Sequence, residues 1–85
     1  MNAQKTLLIT GGLGYIGSHA VLAFEQAGYR VIIIDNLVNS SRDTLLGIEK
    51  ILGYAPNFHD TDIRDRAGIE KLFQKYDFDG VIHFA

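Results

Sequence analysis

The stretch Thr10-Gly11-Gly12-Leu13-Gly14-Tyr15-Ile16-Gly17 decides how this chain is interpreted. It fits the pattern G-x-G-x-x-G through Gly12, Gly14 and Gly17, and the variant T-G-x-x-G-x-x-G when Gly11 takes the place of Gly12. Either pattern alone is a weak signal, because a tight strand-to-helix connection also favours glycine. The sequence on both sides of the stretch therefore decides between a simple turn and a phosphate-binding loop.

The flanking residues predict a strand before the glycines and a helix after them. Thr6 to Thr10 is a short apolar run that ends at a glycine pair, as expected for a first strand. The next apolar residues recur at the spacing of one helix face, and they are Ile16, Ala20, Phe24 and Ala27. Gly28 ends this helix as a C-terminal glycine. A glycine loop between a strand and a helix is the context that dinucleotide binding requires.

The rest of the sequence predicts three more strands and two more helices. Arg30 to Asp35 is a second strand whose β-branched residues indicate burial on both faces. A weaker third strand lies at about Asn57 to Asp60, and a buried fourth strand at Gly80 to Phe84. One helix is predicted from about Arg42 to Leu52, with Ser40 or Ser41 as its N-cap and Gly53 at its end. Its buried residues are expected to be Leu45, Ile48 and Leu52. The other helix follows the N-cap Asp65, and the residues on its buried face are Ile69, Leu72, Phe73 and Tyr76.

The strict alternation of strands and helices predicts the fold class. It is typical of an α/β protein with a parallel sheet and right-handed crossovers. We expect half of a Rossmann fold, with strand order 3-2-1-4 and helices on the faces of the sheet. In this order the winding reverses between the first and fourth strands, and ligands bind in the crevice at that point.

The glycine loop and one acid predict the chemistry of that crevice. Free N–H groups at the start of the first helix, together with its dipole, attract phosphate. Asp35 ends the second strand about 20 residues beyond the glycines, where an acid accepts hydrogen bonds from the adenosine ribose. Its charge would repel a 2′-phosphate, so NAD is favoured over NADP. Arg42 lies close in sequence, but its position on the next helix does not offset the acid.

Composition excludes several other classes of function. The chain has 85 residues, room for one small domain, and its net charge of −2 includes no basic run that would attract nucleic acid. It has no cysteine, no apolar stretch long enough to cross a membrane and no signal peptide, so we expect a cytoplasmic protein. None of the three histidines has partners at metal-ligand spacing, and His83 is expected to pack in the core.

With these residues in place, the sequence resembles the extended short-chain dehydrogenase/reductase superfamily and, within it, the UDP-glucose 4-epimerases. The resemblance covers the whole chain and is carried by four blocks, Thr10 to His19, Asp35-Asn36-Leu37-Val38-Asn39-Ser40, Asp62-Ile63-Arg64-Asp65 and Val81-Ile82-His83-Phe84-Ala85. The second block is the sharpest, because related nucleotide-sugar dehydratases resemble it less.

The resemblance implies roles for residues of the NAD site beyond the glycines Gly11, Gly14 and Gly17. Tyr15 and Ile16 would contact the pyrophosphate, largely through backbone amides. The ribose would lie on Asp35, while Asn36, Leu37, Val38, Asn39 and Ser40 would wrap that end of the cofactor. The adenine would meet Asp62 and Ile63, and the nicotinamide half would lie beside the turn that Phe84 and Ala85 begin.

The resemblance also implies an activity that this chain cannot perform alone. Bound NAD would take a hydride from C4 of the hexose and return it to the other face, which interconverts UDP-glucose and UDP-galactose. Such enzymes use a Tyr-x-x-x-Lys pair, but the residues four positions after the four tyrosines are His19, Ile33, Phe58 and Gly80. We therefore expect residues 1–85 to be the N-terminal part of a longer protein, cut before the catalytic residues and the UDP-sugar domain, and homodimeric when complete.

Two alternatives stay open at this point. One is another nucleotide-sugar epimerase or a dehydratase of the same superfamily. The other, from a different class, is a non-catalytic module that senses NAD, which the missing catalytic motif would favour. A natural end at Ala85 would leave an apolar edge strand that is prone to association, which argues against the second alternative.

Overall fold

Strands and helices alternate throughout residues 4–37 and 42–84, which are the residues that the computed structural model describes. The elements are β1 (Thr6–Thr10), α1 (Tyr15–Gln26), β2 (Arg30–Asp35), α2 (Arg42–Leu52), β3 (Asn57–Asp60), α3 (Arg66–Lys75) and β4 (Gly80–His83). Their bounds agree with the sequence predictions to within a residue or two. No helix in the described ranges has the length and apolar character needed to cross a membrane.

The four strands form one parallel sheet in the order β3-β2-β1-β4. This confirms the predicted topology. In the register of the sheet, Thr10 at the end of β1 lies between Ile34 of β2 and His83 of β4. The carboxyl ends of these three strands therefore meet at the edge where the winding of the chain reverses.

The two faces of β2 explain why the sheet has helices on both sides. Val31 to Ile34 are fully buried. Val31 and Ile33 belong to a cluster with residues of α1 and α2, whereas Ile32 and Ile34 pack with Leu72 of α3. Burial of each such side chain contributes about 1.5–3 kcal/mol, so the β-branched run of β2 is the centre of the core.

An N-cap begins α3 and glycines end α1 and α2, as the sequence predicts. Asp65 is the N-cap of α3, and its carboxylate accepts a hydrogen bond from the Gly68 amide at 3.2 Å. Gly28 and Gly53 follow α1 and α2 with positive φ angles of 97° and 83°. The proposed caps Ser40 and Ser41 lie outside the described residues.

The four apolar residues that mark one face of α1 in the sequence are not its buried residues. Gly17 and Val21 are its buried residues, whereas Ile16 is 65% exposed and Ala27 is also exposed. A close contact between Gly17 and the backbone of the glycine loop sets the rotation of the helix. That contact needs a residue without a side chain, which a search for apolar periodicity does not detect.

The prediction of a buried fourth strand is wrong, because none of its residues is fully buried. Val81 is 53% exposed, and His83 is exposed rather than packed in the core. β4 is at the edge of the sheet, so within the described residues it has only β1 as a neighbouring strand. Phe73 of α3, predicted to be inside, is 50% exposed and packs edge-on against Phe78.

Candidate nucleotide-binding site

The glycine loop lies at the carboxyl ends of β1 and β2, directly before α1. Gly11 has a φ of 68°, a backbone conformation that residues with a side chain rarely adopt, and its amide donates to the carbonyl of Ile34 at 2.8 Å. Its own carbonyl accepts a hydrogen bond from the Gly14 amide at 3.1 Å. The loop is thus a tight turn anchored to the neighbouring strand.

The glycines of the motif serve different steric purposes. A Cβ atom on Gly17 would overlap the carbonyl oxygen of Gly11, and one on Gly12 would lie 2.6 Å from Cγ2 of Ile33. These two glycines are needed by the fold itself. A Cβ atom on Gly14 would make only an ordinary contact, 3.4 Å from the Gly11 oxygen. Neither its conformation nor its neighbours in the described residues demand glycine at position 14, so the backbone there is open to a ligand.

The amino end of α1 has no side-chain cap in the described part of the chain. Gly14 occupies the N-cap position without a side-chain hydrogen bond, and the first turn has no acidic residue. The first amides of any helix lack intrahelical acceptors. Tyr15, which starts the helix, is 82% exposed, so this end is open. An anion here would satisfy the amides and gain about 0.3–2 kcal/mol per contact from the helix dipole.

Asp35 connects the glycine loop to the loop that follows β2. Its carboxylate accepts hydrogen bonds from the backbone amides of Leu13 at 3.1 Å and Leu37 at 2.8 Å. Two backbone donors fix the position of this charge at the mouth of the crevice. The sequence predicts the place of Asp35 but not its bond to Leu13, which comes from a residue far away in the chain.

A small pocket brings several predicted site residues together. It has a volume of about 40 Å³ and is lined by Gly11, Ile34, Asp35, Asn36, Thr61 and Ile63. Gly11, Asp35, Asn36 and Ile63 were all predicted from the sequence to face one ligand. Thr61 was not predicted, and its amide donates to the carbonyl of Asp35 at 3.3 Å. The pocket continues the crevice from the glycine loop toward β3.

Asp62 lies next to this pocket in a network that the sequence reasoning missed. Its carboxylate accepts hydrogen bonds from Arg64 and from the side-chain amide of Asn36. These bonds, led by the one from the Arg64 side chain, hold the pKa of Asp62 well below its usual value. The spacing D-x-R is the signal that could have predicted this ion pair.

Arg42 contacts two residues of the edge strand β3. Its guanidinium lies 3.6 Å from the carboxylate of Asp60 and 5.6 Å from the ring centre of Phe58. Both partners belong to β3. Asp60 is the register partner of Asp35, so this ion pair lies beside the end of β2, where the Asp60 carboxylate offsets the charge of Arg42.

The opposite side of the crevice has a buried hydroxyl that was not predicted. Oγ1 of Thr10, a residue only 5% exposed, lies 2.5 Å from Nδ1 of His83. The Phe84 amide donates to the carbonyl of Thr10 at 2.9 Å, which places Phe84 beside the carboxyl end of β1. Of the other predicted site residues, Val38, Asn39, Ser40 and Ala85 lie outside the described ranges.

Residues 4–37 and 42–84 contain no group of three or more His, Cys, Asp or Glu side chains that could hold a metal ion. The arrangement is instead a glycine cradle at a helix start, followed by a fixed carboxylate and a small polar pocket. It can hold a diphosphate and an adjoining nucleoside.

Comparison with known proteins identifies the family. The model of the NAD dependent epimerase/dehydratase family matches residues 7–85. This chain belongs to that family. Within it, a UDP-glucose 4-epimerase of Yersinia enterocolitica is 49% identical over 80 residues, which are 94% of this chain and 24% of the relative.

Solved structures of epimerases in the family agree with the fold. A UDP-glucose 4-epimerase of Stenotrophomonas maltophila, with bound NAD and formylated UDP-arabinopyranose, superposes with a TM-score of 0.91 at 45% identity, over 96% of this chain and 24% of that one. A second from Bifidobacterium longum, in complex with NAD+ and UDP, has a TM-score of 0.91 at 42% identity, over 95% and 24% of the two chains. The chain thus spans about a quarter of the length of these epimerases.

Proposed function

We propose that this chain forms the N-terminal part of the NAD-binding domain of a UDP-glucose 4-epimerase. The observation that carries the proposal is the open amino end of α1, with Gly14 at its N-cap, beside the carboxylate of Asp35 that Leu13 fixes at 3.1 Å. Membership of the NAD dependent epimerase/dehydratase family and the high identity to epimerases support it.

The residues present fit NAD. Gly14 leaves room for a diphosphate where a side chain would intrude, and the amides of Tyr15 and Ile16 would hold its oxygens. Asp35 would accept hydrogen bonds from the adenosine ribose. The other residues proposed to contact the cofactor are Asn36, Leu37, Val38, Asn39 and Ser40 at the ribose, Asp62 and Ile63 at the adenine, and Phe84 and Ala85 at the nicotinamide half.

The same geometry favours NAD over NADP. The Asp35 carboxylate is held by backbone donors, so it cannot easily turn away from an added 2′-phosphate. The guanidinium of Arg42 is engaged by Asp60 and Phe58 of β3. Contact between the Asp35 carboxylate and a 2′-phosphate would bring two negative charges together, which costs several kcal/mol.

The contribution of this chain to the reaction is binding and orientation. When bound, NAD supplies hydride acceptance and return at a sugar carbon. Residues of the glycine loop would fix the diphosphate, and the Thr10–His83 contact at 2.5 Å would keep β1 and β4 aligned beneath the nicotinamide half. The sequence of 85 residues has no Tyr-x-x-x-Lys pair, so we expect residues outside it to move the proton.

We further propose that the complete protein acts on UDP-glucose and UDP-galactose. Its cytoplasmic location and homodimeric state stay predictions, which cell fractionation and size-exclusion chromatography would check. An assay of UDP-galactose conversion with the complete protein tests the activity. Conversion of another nucleotide-sugar, or its dehydration, in place of this reaction would contradict the proposal and favour a different member of the family.

The cofactor is tested by calorimetric titration of the complete, cofactor-stripped protein with NAD and NADP. We expect at least a hundredfold preference for NAD, because several kcal/mol of repulsion act against NADP. Asp35→Ala should weaken NAD binding and remove most of this preference. Asp77→Ala, an exposed acid in the loop between α3 and β4, is the matched control and should change neither. Equal affinity of the unaltered protein for both cofactors would contradict the role of Asp35.

A further inference from the structure

Arg64 donates most of the hydrogen bonds that the Asp62 carboxylate accepts. We propose that Arg64 is a positioning residue that orients the Asp62 carboxylate to recognise the 6-amino group of adenine. The inference rests on the proposed function, since it requires the adenosine half of NAD beside Asp35. It adds a residue that selects the base of the cofactor.

Asp62 and Arg64 form a forked ion pair. Oδ1 of Asp62 accepts hydrogen bonds from the backbone amide of Arg64 at 2.8 Å and from its Nε at 3.1 Å. Oδ2 accepts one from Nη2 of the same guanidinium at 2.8 Å. The guanidinium of Arg64 thus binds both carboxylate oxygens, and the backbone amide adds a third bond that restrains the orientation of the carboxylate.

Asn36 is the fourth hydrogen-bond donor to the Asp62 carboxylate. Nδ2 of Asn36 lies 3.3 Å from Oδ2 of Asp62, the longest of the four contacts. An ionised carboxylate has about four acceptor positions, so these donors fill it. An incoming amino group would therefore replace the weakest donor, Asn36, and leave the three bonds from Arg64 intact.

The Asp62 carboxylate lies next to the pocket beside Asp35. Asn36 follows Asp35 directly in the chain, and it lines the pocket of about 40 Å³ together with Thr61 and Ile63, the two neighbours of Asp62. The Asn36–Asp62 contact connects the ends of β2 and β3. A base attached to a ribose on Asp35 would enter this region. The Asp62 carboxylate thus lies next to the region that the adenine would enter.

A carboxylate distinguishes adenine from hypoxanthine by the group at C6 of the base. Adenine presents an amino donor at C6, whereas hypoxanthine presents a carbonyl acceptor at the same place. An ionised carboxylate attracts the first and repels the second. The bonds from Arg64 keep the pKa of Asp62 low, so the group stays an acceptor over the whole range in which the protein is handled.

The test compares NAD with nicotinamide hypoxanthine dinucleotide by calorimetric titration of the complete protein. The unaltered protein should prefer NAD at least tenfold. Arg64→Ala and Asp62→Asn should each reduce this preference to about twofold, chiefly by weakening NAD. Arg64→Lys should also reduce it, because lysine keeps the charge but lacks the fork. Arg66→Ala is the matched control, as Arg66 is exposed and pairs only with Glu70 among the described residues, at 3.5 Å.

Each other result overturns the inference in a distinct way. If Arg64→Ala weakens both dinucleotides equally, Arg64 merely stabilises the loop. If Asp62→Asn removes the preference and Arg64→Ala leaves it unchanged, Asp62 reads the base without help. If the unaltered protein binds both dinucleotides equally well, Asp62 does not read the base, although NAD binding stands. Failure to bind either dinucleotide would overturn the proposed function and this inference together.

Discussion

Alanine at Gly14 should separate the binding role of the glycine loop from its role in folding. The added Cβ atom would lie 3.4 Å from the Gly11 oxygen, an ordinary contact, and the φ of −72° at this position suits alanine. We expect the free energy of unfolding to change by less than about 1 kcal/mol. The methyl group would instead stand where the diphosphate approaches the helix amides.

The expected loss of affinity follows from those amide contacts. Each is worth about 0.3–2 kcal/mol, so losing two of them costs about 0.6–4 kcal/mol, which is a weakening of the Kd for NAD by about threefold or more. Gly17→Ala should behave differently, because its Cβ atom would overlap the Gly11 oxygen and lie 3.1 Å from Cα of Gly12. Overpacking of this kind costs about 1–3 kcal/mol of stability, and the displaced loop would lose NAD as well.

Two measurements on the complete protein decide the matter: urea unfolding without cofactor and calorimetric titration with NAD. Gly47→Ala in α2 is the control, since a Cβ atom there has no neighbour within 4 Å in the described residues. It should stabilise the protein by about 0.5–1 kcal/mol and leave NAD binding unchanged. The reasoning is refuted if Gly14→Ala unfolds as easily as Gly17→Ala while it still binds NAD at full affinity.

Two further predictions concern stability and association. Burial lowers the pKa of His59 below its usual 6.5, so the folded protein binds fewer protons than the unfolded chain as pH falls below that value. Stability should therefore decline with decreasing pH from about 6.5, and His59→Gln should flatten this decline in unfolding curves measured from pH 7.5 to 5. The 85-residue chain on its own should associate through the β4 edge, where Val81 is 53% exposed, and Val81→Lys should reduce light scattering. A monodisperse monomer of the unaltered chain with cooperative unfolding would contradict the second prediction.

The sequence predicts those features that depend on neighbours in the chain. The apolar run of β2 marks both its ends and its burial, because four consecutive β-branched residues suit only a central strand. The N-cap Asp65 and the C-terminal glycines Gly28 and Gly53 also act within a few residues. The strand order follows from these elements through the handedness of the crossovers.

Most of what the sequence misses depends on contacts between residues that are distant in the chain, although the Gly17 contact and the Asp62–Arg64 ion pair are local. The rotation of α1 comes from a contact of Gly17 with the backbone of Gly11 that has no apolar signature, so the apolar spacing alone does not predict that Ile16 is exposed. The bond of Leu13 to Asp35 joins two loops, and the Thr10–His83 contact joins the first strand to the last. Because such pairs form only when the sheet assembles, no local pattern reveals them.

The most direct test of the account is an experimental structure of the complete protein with NAD. We predict diphosphate oxygens within hydrogen-bonding distance of the Tyr15 and Ile16 amides, with the adenosine ribose on the carboxylate of Asp35. A dinucleotide bound elsewhere, with the amino end of α1 covered by protein, would contradict the central claim.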